Sequence, residues 1–360
     1  MNKHVVGGFV RDIIIGQKPN DMDIVVEDSN IQELTALYGE SIGKSFPVWL
    51  DNDGNEVALT RKERSTGSGH TDFEINCDNV TIKEDLLRRD FTINALAFEY
   101  KHLKYFIETH DTDIIIDVST GLDDIKNGWI RHIDADAFKE DPLRVFRCAR
   151  FYAKLFYHGF RIHPDTIQLC QEMVKSGMVD HLPKERIWAE SLKSLNNHTF
   201  EYYIEALSLF GYMDVDLLVH SKSKPIWKPE QIFSYYAHLN TCNDFEKLYP
   251  QKSYLKYYNN YKMLCNMFGL VDFEHSEHHN ILMALIFKNG LIHYDNINTF
   301  FNDYADTDYM INYCNKIFSV IHDYKDSIEK VVNDGNAKQL GINGFKESIM
   351  MECIKHVYGK

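Results

Sequence analysis

The chain has 360 residues, a formal net charge of −14 at pH 7 and 44% hydrophobic residues. This length is large for one average domain, so roughly two or three subdomains are expected. The acidic balance disfavours a nucleic-acid-binding surface that extends over the whole protein, so any positive charge for phosphates must be local. Three basic patches are candidates, although each is also typical of a solvated face or loop: Arg144/Arg147/Arg150, Lys184/Arg186 and 222–228.

Composition also predicts the compartment. No run of about 18 uncharged apolar residues occurs, so we expect no membrane span. Arg11 and Asp12 interrupt the first apolar run, which disfavours a signal peptide. The seven cysteines are scattered without a CxxC pair, which favours free thiols over disulfides or a zinc site. We therefore expect a cytoplasmic protein.

In chain order, the predicted elements change character near residue 135. Residues 1–134 mix strands and helices: VVGG is a short strand, FVRDIIIG a helix, and DMDIVVED, NEVALTRKER and DIIIDVS are further strands. Apolar residues then recur at helical spacing in PLRVFRCARFYAKLF, PDTIQLCQEMVKSG and PKERIWAESLKSLN. Beyond residue 197 the strand signal is weak, which predicts an all-α tail of short helices.

Two glycines followed by an acidic pair form the first candidate site. Gly7 and Gly8 lie between a predicted strand and a predicted helix, where backbone amides can approach a phosphate closely. Asp21 and Asp23 are two positions apart on a predicted strand, so both side chains point to one face. Two such carboxylates can hold two Mg²⁺ ions for phosphoryl transfer, although a DxD pair alone is also typical of a solvated strand end.

The second candidate is the segment RRDFTINA, residues 88–95. Two arginines beside an acid usually form an ion-pair cluster at the surface. The third candidate is Glu140-Asp141-Pro142-Leu143-Arg144, in which acids before a proline predict a helix start with the proline at its first position. The two carboxylates lie three and four residues from Arg144, so they can hold its guanidinium, as in any well-capped helix with internal ion pairs.

In this order, the segments GGFVRD, DMD, RRDFTINA and EDPLR resemble the class II tRNA nucleotidyltransferases, the CCA-adding enzymes of the polymerase-β superfamily. The similarity is collinear from about residue 5 to residue 190 and is strongest to the longer bacterial type. It implies an α+β fold, in which a polymerase-β-like head with a mixed sheet and helices precedes an all-α neck, body and tail. We expect the catalytic head at 1–134, a base-recognising helical neck at 135–200 and a tRNA-binding body and tail at 201–360.

The resemblance also implies roles for the residues of the first motif. Asp21 and Asp23 would ligate two Mg²⁺ ions and carry catalysis, while Gly7, Gly8 and Arg11 would contact the nucleotide triphosphate. A third carboxylate would complete the metal shell or activate the 3′ hydroxyl of tRNA. Glu56, which opens the predicted strand NEVALTR, is the candidate for it.

For the other two motifs the resemblance implies nucleotide contacts. Arg89 would contact the nucleotide, and the Asp90/Asn94 pair would order its ribose side, where a 2′-hydroxyl contact distinguishes NTP from dNTP. Within the EDxxR motif of Glu140, Asp141 and Arg144, the last two would present acceptor and donor edges to the incoming base, a task that suits arginine better than lysine. Two arginines further along the same predicted helix would also contact the nucleotide, namely Arg147 and Arg150.

Two segments bear on the extent of the reaction. The segment 60–74, TRKERSTGSGHTDFE, corresponds to the family's flexible loop for switching from C to A addition, and it is not shortened as in variants that add only CC. In ILMALIFKNG, Phe287 and Lys288 stand where the longer relatives carry the His-Asp pair of an HD phosphohydrolase, and neither replaces a metal ligand. His275, His278 and His279 are interpreted as loop residues. We therefore predict no phosphohydrolase activity.

The sequence thus predicts template-independent addition of C, C and A to the 3′ end of tRNA from CTP and ATP, with release of pyrophosphate. The body and tail would bind the acceptor end and elbow of tRNA, and neither a membrane nor an obligate protein partner is expected. Three alternatives stay open. They are a poly(A) polymerase, which the acidic tail disfavours; a transferase that adds only CC or only A; and a tRNA-binding protein without catalysis, which the intact motifs disfavour. A toxin-type or antitoxin-type nucleotidyltransferase would be much shorter.

Overall fold

The computed structural model describes residues 1–42, 46–65, 73–215, 229–239, 243–256 and 258–259. Two compact units are distinguished, and among the described residues the first holds 1–215, 235–239 and 243–251, the second 229–234 and 252–259. The predicted boundaries at 134 and 200 fall inside the first unit and stay predictions. The basic patch 222–228, the histidines His275, His278 and His279, and the pair Phe287 and Lys288 lie outside the described residues.

The strands are β1 (Asn2–Val6), β2 (Asp23–Glu27), β3 (Val48–Leu50), β4 (Glu56–Leu59), β5 (Lys62–Ser65), β6 (Phe73–Asn76), β7 (Leu96–Glu99), β8 (Ile116–Asp117), β9 (Trp129–Ile130) and β10 (Arg161–Ile162). Within the described chain, six of them form a mixed sheet in the order β3-β4-β2-β1-β7-β8. The pairs β5–β6 and β9–β10 form two small sheets. The predicted α+β class is therefore confirmed.

The pairing of the central strands brings four strand ends together at one edge of this sheet. Strand β1 runs antiparallel to β2 and β7, with Val6 opposite Asp23 and Ala97. Strand β2 runs parallel to β4, with Asp23 beside Glu56. The end of β1 and the starts of β2, β4 and β7 consequently meet, which places the glycine, DxD and RRDFTINA segments side by side.

Alternation along the strands separates two apolar layers. Ile24 and Val26 pack with Leu34 and Trp49 on one face of the sheet. Val25 packs with the opposite cluster, which includes Val6, Ala97 and Leu86. Since Asp23 shares the parity of Val25, its carboxylate points to the face that carries Leu86. Asp21, predicted on the same strand, lies two residues before the strand begins.

The helices are α1 (Gly8–Ile14), α2 (Ile31–Tyr38), α3 (Ile82–Leu87), α4 (Leu103–Thr109), α5 (Gly121–Asn127), α6 (Ala135–Glu140), α7 (Leu143–Leu155), α8 (Pro164–Lys175), α9 (Lys184–Asn196), α10 (Phe200–Leu209) and α11 (Pro229–Leu239). The structure confirms the three predicted helices as α7, α8 and α9. Helix α7 packs against α9 and α10 through its apolar face, because Val145, Phe146 and Ala149 are fully buried. In the described part of the chain, no helix is long and apolar enough to cross a membrane.

The predicted start of helix α7 is wrong by one position. Glu140 ends the short helix α6, and Pro142 is the N-cap of α7 rather than its first residue. Asp141 between them is extended, with φ −121° and ψ 95°. A residue before proline is disfavoured in the helical region, so the two helices stay separate and Asp141 lies at their junction.

Candidate active site

A cleft of about 930 Å³ opens at the sheet edge where the motifs meet. It belongs entirely to the first compact unit. Twelve of the predicted site residues line it: Gly7, Gly8, Arg11, Asp21, Asp23, Arg89, Asp90, Asn94, Asp141, Arg144, Arg147 and Arg150. Glu140 is exposed at the end of α6 and is not part of the lining.

Gly7 forms a turn between β1 and α1, which we call the glycine turn, and the side chain of Arg89 lies close to it. Gly7 has φ +72°, a conformation that side chains rarely adopt, and its N–H donates to Leu96 O at 2.9 Å. A Cβ at position 7 would stand 2.7 Å from Arg89 Nη1. Glycine is therefore required both by the backbone conformation and by the close approach of a guanidinium.

Asp21 and Asp23 are both exposed to solvent, and Asp23 opens β2. Desolvation in the cleft raises the pKa of Asp23; Arg89 opposes this effect, and the neighbouring Asp21 adds to it. Glu56 is also exposed and stands beside Asp23 in the parallel register, so its side chain points to the same face. These three residues, Asp21, Asp23 and Glu56, form what we call the acidic rim.

The donor set of the acidic rim suits magnesium. Among the residues that the structure describes, no three His, Cys, Asp or Glu side chains converge closely enough to form a complete metal cage. Mg²⁺ is commonly bound by one or two carboxylates together with waters and substrate phosphates, and it favours oxygen ligands. Asp21 and Asp23, two carboxylates that line the cleft, fit that requirement.

Arg11 is held by other protein groups. The residue is 1% exposed, and its Nε and Nη2 donate to Asp12 Oδ1 at 2.8 and 2.6 Å. Its Nη1 donates to Asn94 Oδ1. Lys154 of α7 donates to the other oxygen of Asp12 at 3.0 Å, so this carboxylate joins α1 to α7.

The Asp90/Asn94 pair is formed as the second motif suggests, and Asp90 is also bound by an arginine of α7. Asn94 Nδ2 donates to Asp90 Oδ1 at 3.0 Å, while Arg147 donates to Asp90 Oδ2 from Nε at 2.7 Å and approaches it from Nη2 at 2.6 Å. Burial alone would raise the pKa of Asp90, but Arg147, Asn94 and Arg144 together lower it to about 2. The carboxylate is therefore ionised at neutral pH and holds the arginine in place.

The EDxxR residues are arranged differently from a simple helix-start ion pair. Arg144 donates from Nη1 to Ala137 O at 2.8 Å and from Nη2 to Arg88 O at 2.6 Å. Asp141 Oδ2 accepts from Arg186 Nη2 of α9 at 3.0 Å, and Asp141 Oδ1 accepts from the Leu143 N–H at 3.2 Å. Arg144 thus connects the third motif to the second, and Arg186 orients Asp141.

The sequence reasoning missed three buried carboxylates, of which Asp12 lines the cleft while Asp85 and Glu190 lie behind it. Each accepts from two cations: Asp12 from Arg11 and Lys154, Asp85 from Arg88 and Arg89, and Glu190 from Arg150 and Lys193. These carboxylates and cations, together with Asp90 and Arg147, form what we call the basic wall. The Asp85 contacts follow helical i,i+3 and i,i+4 spacing and carry a sequence signal, whereas the other two depend on tertiary packing.

Phe151 is a further missed residue. Its buried ring lies under three guanidinium groups, with Cζ-to-centroid distances of 5.3 Å for Arg11, 5.5 Å for Arg147 and 4.1 Å for Arg150. An aromatic face attracts cations, so the ring helps to collect like charges at one place. The predicted local patch of Arg144, Arg147 and Arg150 is therefore found in the cleft, in an otherwise acidic chain.

Comparison with known proteins is consistent with this geometry. Residues 3–131 match the family described as "Poly A polymerase head domain", and residues 159–217 match "Probable RNA and SrmB- binding site of polymerase A". The multifunctional CCA protein of Shewanella frigidimarina is 39% identical over 237 residues, which are 64% of this chain and 54% of that protein. That of Xylella fastidiosa is 43% identical over 197 residues, 54% of this chain and 45% of that protein. The chain spans about half the length of these relatives.

Solved structures extend the likeness beyond the head. A CCA-adding enzyme in complex with CTP has a TM-score of 0.64 at 20% identity, covering 100% of this chain and 88% of that one. The Bacillus stearothermophilus CCA-adding enzyme with CTP has a TM-score of 0.62 at 21% identity, covering 99% and 89%. The predicted resemblance to the CCA-adding enzymes is therefore confirmed: residues 3–131 match the poly A polymerase head-domain family, and the chain has the fold of the CCA-adding enzymes of known structure.

Proposed function

We propose that this chain adds C, C and A to the 3′ end of tRNA, using CTP and ATP and no nucleic-acid template. The observation that carries the proposal is one cleft that gathers all three motifs, with carboxylates at its rim and arginines along its wall. The 3′ hydroxyl of tRNA attacks the α-phosphate of the nucleotide, and pyrophosphate leaves. The relatives named as multifunctional CCA proteins support the assignment.

Asp21 and Asp23 are the residues that would hold two Mg²⁺ ions. When bound, the metal supplies Lewis-acid stabilisation of charge on the α-phosphate and on the leaving pyrophosphate. Glu56 is proposed as the third carboxylate, because the parallel register places it beside Asp23. Its position suits either a metal ligand or an acceptor for the proton of the attacking hydroxyl.

The glycine turn and Arg89 are proposed to bind the triphosphate. The Asp90/Asn94 pair would orient the ribose, and Arg147 would remain in place because Asp90 holds it. Arg11 is proposed to act near the phosphates while it is anchored by Asp12. All of these groups are restrained before the substrate arrives, which lowers the ordering cost of binding.

Asp141 and Arg144 are proposed to read the base. Cytosine and adenine both carry an exocyclic amino group, whereas uracil and guanine carry a carbonyl at that position. A carboxylate only accepts hydrogen bonds, so Asp141 would pair with the amino group of C or A and repel the carbonyl of U or G. Arg144 would donate to the ring acceptor beside it, and leaving these groups unpaired would reject the wrong base.

RNA binding is proposed for the region after the head. The match of residues 159–217 to an RNA-binding region supports this placement, as does a tRNA substrate in the proposed reaction. The tRNA acceptor end and elbow would be bound by the chain from 201 to 360. The reaction is proposed for the cytoplasm, which fits the free thiols at Cys77, Cys148 and Cys170.

An extension assay tests the proposal. Purified protein with Mg²⁺ is given a tRNA that lacks CCA, together with CTP, ATP, UTP or GTP singly and in mixtures. We expect two C and one A to be added, and no activity from Asp21→Ala or Asp23→Ala. Asp123→Ala is the matched control, because this aspartate is equally exposed and does not line the cleft. Failure of the wild type to incorporate CTP or ATP would contradict the proposal.

A poly(A) polymerase is the second candidate. Both family descriptions name polymerases of that kind, and they match the head and the region after it. The same assay separates the two, since a poly(A) polymerase would add many A residues to a general RNA primer. Extension that stops after three nucleotides on tRNA favours CCA addition, and a stop after CC alone or an addition of A alone indicates a partial transferase.

A further inference from the structure

Asp85 lies behind the second motif, completely buried in helix α3. Its Oδ1 accepts from Arg88 Nε at 3.1 Å and Nη2 at 2.9 Å, and also from the Arg61 N–H at 3.2 Å. Its Oδ2 accepts from Arg89 Nη2 at 3.3 Å. One carboxylate therefore holds both arginines of the RRD segment and the backbone that follows β4.

The two arginines are held unequally. Arg88 makes two bonds of 2.9 and 3.1 Å to a single oxygen of Asp85, whereas Arg89 makes one bond of 3.3 Å to Asp85 and another of 3.4 Å to Asn94 O. Charge-assisted hydrogen bonds are normally about 2.7–2.9 Å long. One negative and two positive charges leave this cluster with a net positive charge, and Arg89 makes the longer contacts of the two arginines.

Arg89 points its positive charge to the centre of the cleft. Its Nη1 lies directly beneath the Gly7 turn, and its field reaches Asp23. Its side chain keeps 17% of its exposure and lines the cleft, whereas Asp85 has none and does not line it. Any effect of Asp85 on a bound nucleotide must therefore pass through the arginines.

Stability alone is a poor explanation for this carboxylate. A buried ion pair contributes little net stability compared with well-packed apolar side chains of similar volume. An orienting role agrees better with the arrangement, since Asp85 fixes two guanidinium groups, and Arg144 holds the Arg88 carbonyl at 2.6 Å. Arg144 thus fixes the backbone of the second motif, while Asp85 fixes its two arginine side chains.

We propose that Asp85 is a positioning residue, which holds Arg89 under the glycine turn so that the guanidinium meets the triphosphate of the incoming nucleotide. The proposal rests on the nucleotidyltransferase function proposed above. Asp85 contributes to binding of phosphates and not of the base or ribose. Its effect requires the presence of Arg89.

A double-mutant cycle tests this role. Binding of CTP and of CMP is measured by calorimetry with Mg²⁺ for wild type, Asp85→Asn, Arg89→Gln and the double variant. We expect Asp85→Asn to weaken CTP binding about tenfold, a coupling typical of one ion-pair network, and to leave CMP binding nearly unchanged. In the Arg89→Gln background, Asp85→Asn should have almost no further effect. Additive effects of the two substitutions would overturn the proposal.

Asp124→Asn is the matched control. This aspartate is 2% exposed and accepts from Arg131 Nε at 3.1 Å, but it does not line the cleft. We expect it to reduce stability without changing the ratio of CTP to CMP affinity, and an equal change of that ratio would overturn the proposal. If Asp85→Asn does not fold, Asp85→Glu replaces it in the cycle, because glutamate keeps the negative charge but moves the carboxylate away from its present position. A wild type that binds neither CTP nor ATP would contradict the proposed function itself, whereas intact binding with additive effects contradicts the role of Asp85 alone.

Discussion

The acidic rim and the basic wall differ in almost every physical respect although they enclose one cleft. The rim residues Asp21, Asp23 and Glu56 are exposed. Asp23 and Glu56 open strands β2 and β4, and Asp21 lies two residues before β2. In the wall, buried carboxylates hold cations from several helices, as when Asp12 of α1 accepts from Lys154 of α7. A rim residue can therefore be changed with little effect on the fold, whereas a wall carboxylate supports both the fold and the site.

This difference indicates which residues of the head contribute to stability and which are kept for the reaction. Carboxylates crowded at the rim repel one another and are not needed for packing, which is typical of residues kept for chemistry. Removing a wall carboxylate leaves cations without a partner in a desolvated place, which costs several kcal/mol. Substitutions in the two regions should consequently separate activity from stability, and the following experiments test that separation.

Loss of the rim carboxylates should give the largest effect. Asp21→Ala and Asp23→Ala should each lower kcat by about 10³-fold or more, because metal stabilisation of the transition state is worth several kcal/mol. The midpoint of urea unfolding should stay unchanged, since both side chains are exposed. Chelation with EDTA should abolish activity in the same way and be reversed by Mg²⁺. A large loss of stability in either variant would place these residues with the wall.

Loss of a wall carboxylate should affect stability as well. Asp90→Ala removes the partner of Arg147, whose Nε and Nη2 lie within 2.7 Å of the carboxylate. Breaking a buried pair on one side costs about 3 kcal/mol. Urea denaturation should show this loss together with reduced activity, and Asp90→Asn should lose less because its amide keeps one acceptor. Unchanged stability would remove the distinction between wall and rim.

Acid should affect the rim before it weakens the wall, because the pKa of Asp23 is raised whereas the pKa of Asp90 is lowered. The folded pKa of Asp90 is about 2, below its ordinary value of 3.8, so its stabilisation is fully present above about pH 4 and is lost as the pH falls through about 2. The contribution is about 2 kcal/mol. The slope of unfolding free energy against pH between 4 and 2 should be smaller in Asp90→Asn than in wild type. Equal slopes would show that Asp90 is not the titrating group.

Base selection should change more modestly. In Asp141→Asn an amide N–H₂ replaces one acceptor, so it can donate to the uracil carbonyl that the carboxylate rejects. Selectivity for CTP over UTP, measured as the ratio of kcat/KM values, should fall by about tenfold, within the range for one base contact. Stability should change little, because Asp141 is only partly buried. Unaltered selectivity would assign base recognition to other residues.

The smallest effect is expected at an exposed ion pair outside both regions. Lys104 Nζ and Glu108 Oε1 are 3.9 Å apart, with exposures of 89% and 61%. Exposed pairs of this kind contribute little because solvent screens them. Lys104→Ala should leave the unfolding midpoint and the extension rate within error of wild type. A measurable loss would show that surface charge affects the head generally and not only through the wall.

The sequence predicts the rim better than the wall, because the rim motif is local in the chain whereas the partners in the wall are far apart in the chain. The DxD pair is recognised from two acids two positions apart, although only Asp23 lies on the strand, and Gly7 is recognised from a local turn. The partners Asp12 and Lys154 are 142 residues apart, and Arg150 and Glu190 are 40 apart. Such pairs depend on how α7 packs against α1 and α9, which no local pattern records.

Other features could be predicted from the sequence only in part. The spacing of Asp85 from Arg88 and Arg89 is helical and was visible in EDLLRR, but its complete burial was not. Pro142 was placed one position too far into its helix, because the short helix α6 before it was not predicted. The position of Arg186 against Asp141 joins two predicted helices, and only the tertiary structure shows that they meet.

The most direct test of the central claim is the length and sequence of the product made from a tRNA without CCA. Wild-type protein with CTP, ATP and Mg²⁺ should add C, C and A and then stop, and the Asp21→Ala and Asp23→Ala variants should add nothing. No incorporation by wild type, or full extension by those variants, would contradict the account of the cleft as a template-independent nucleotidyltransferase.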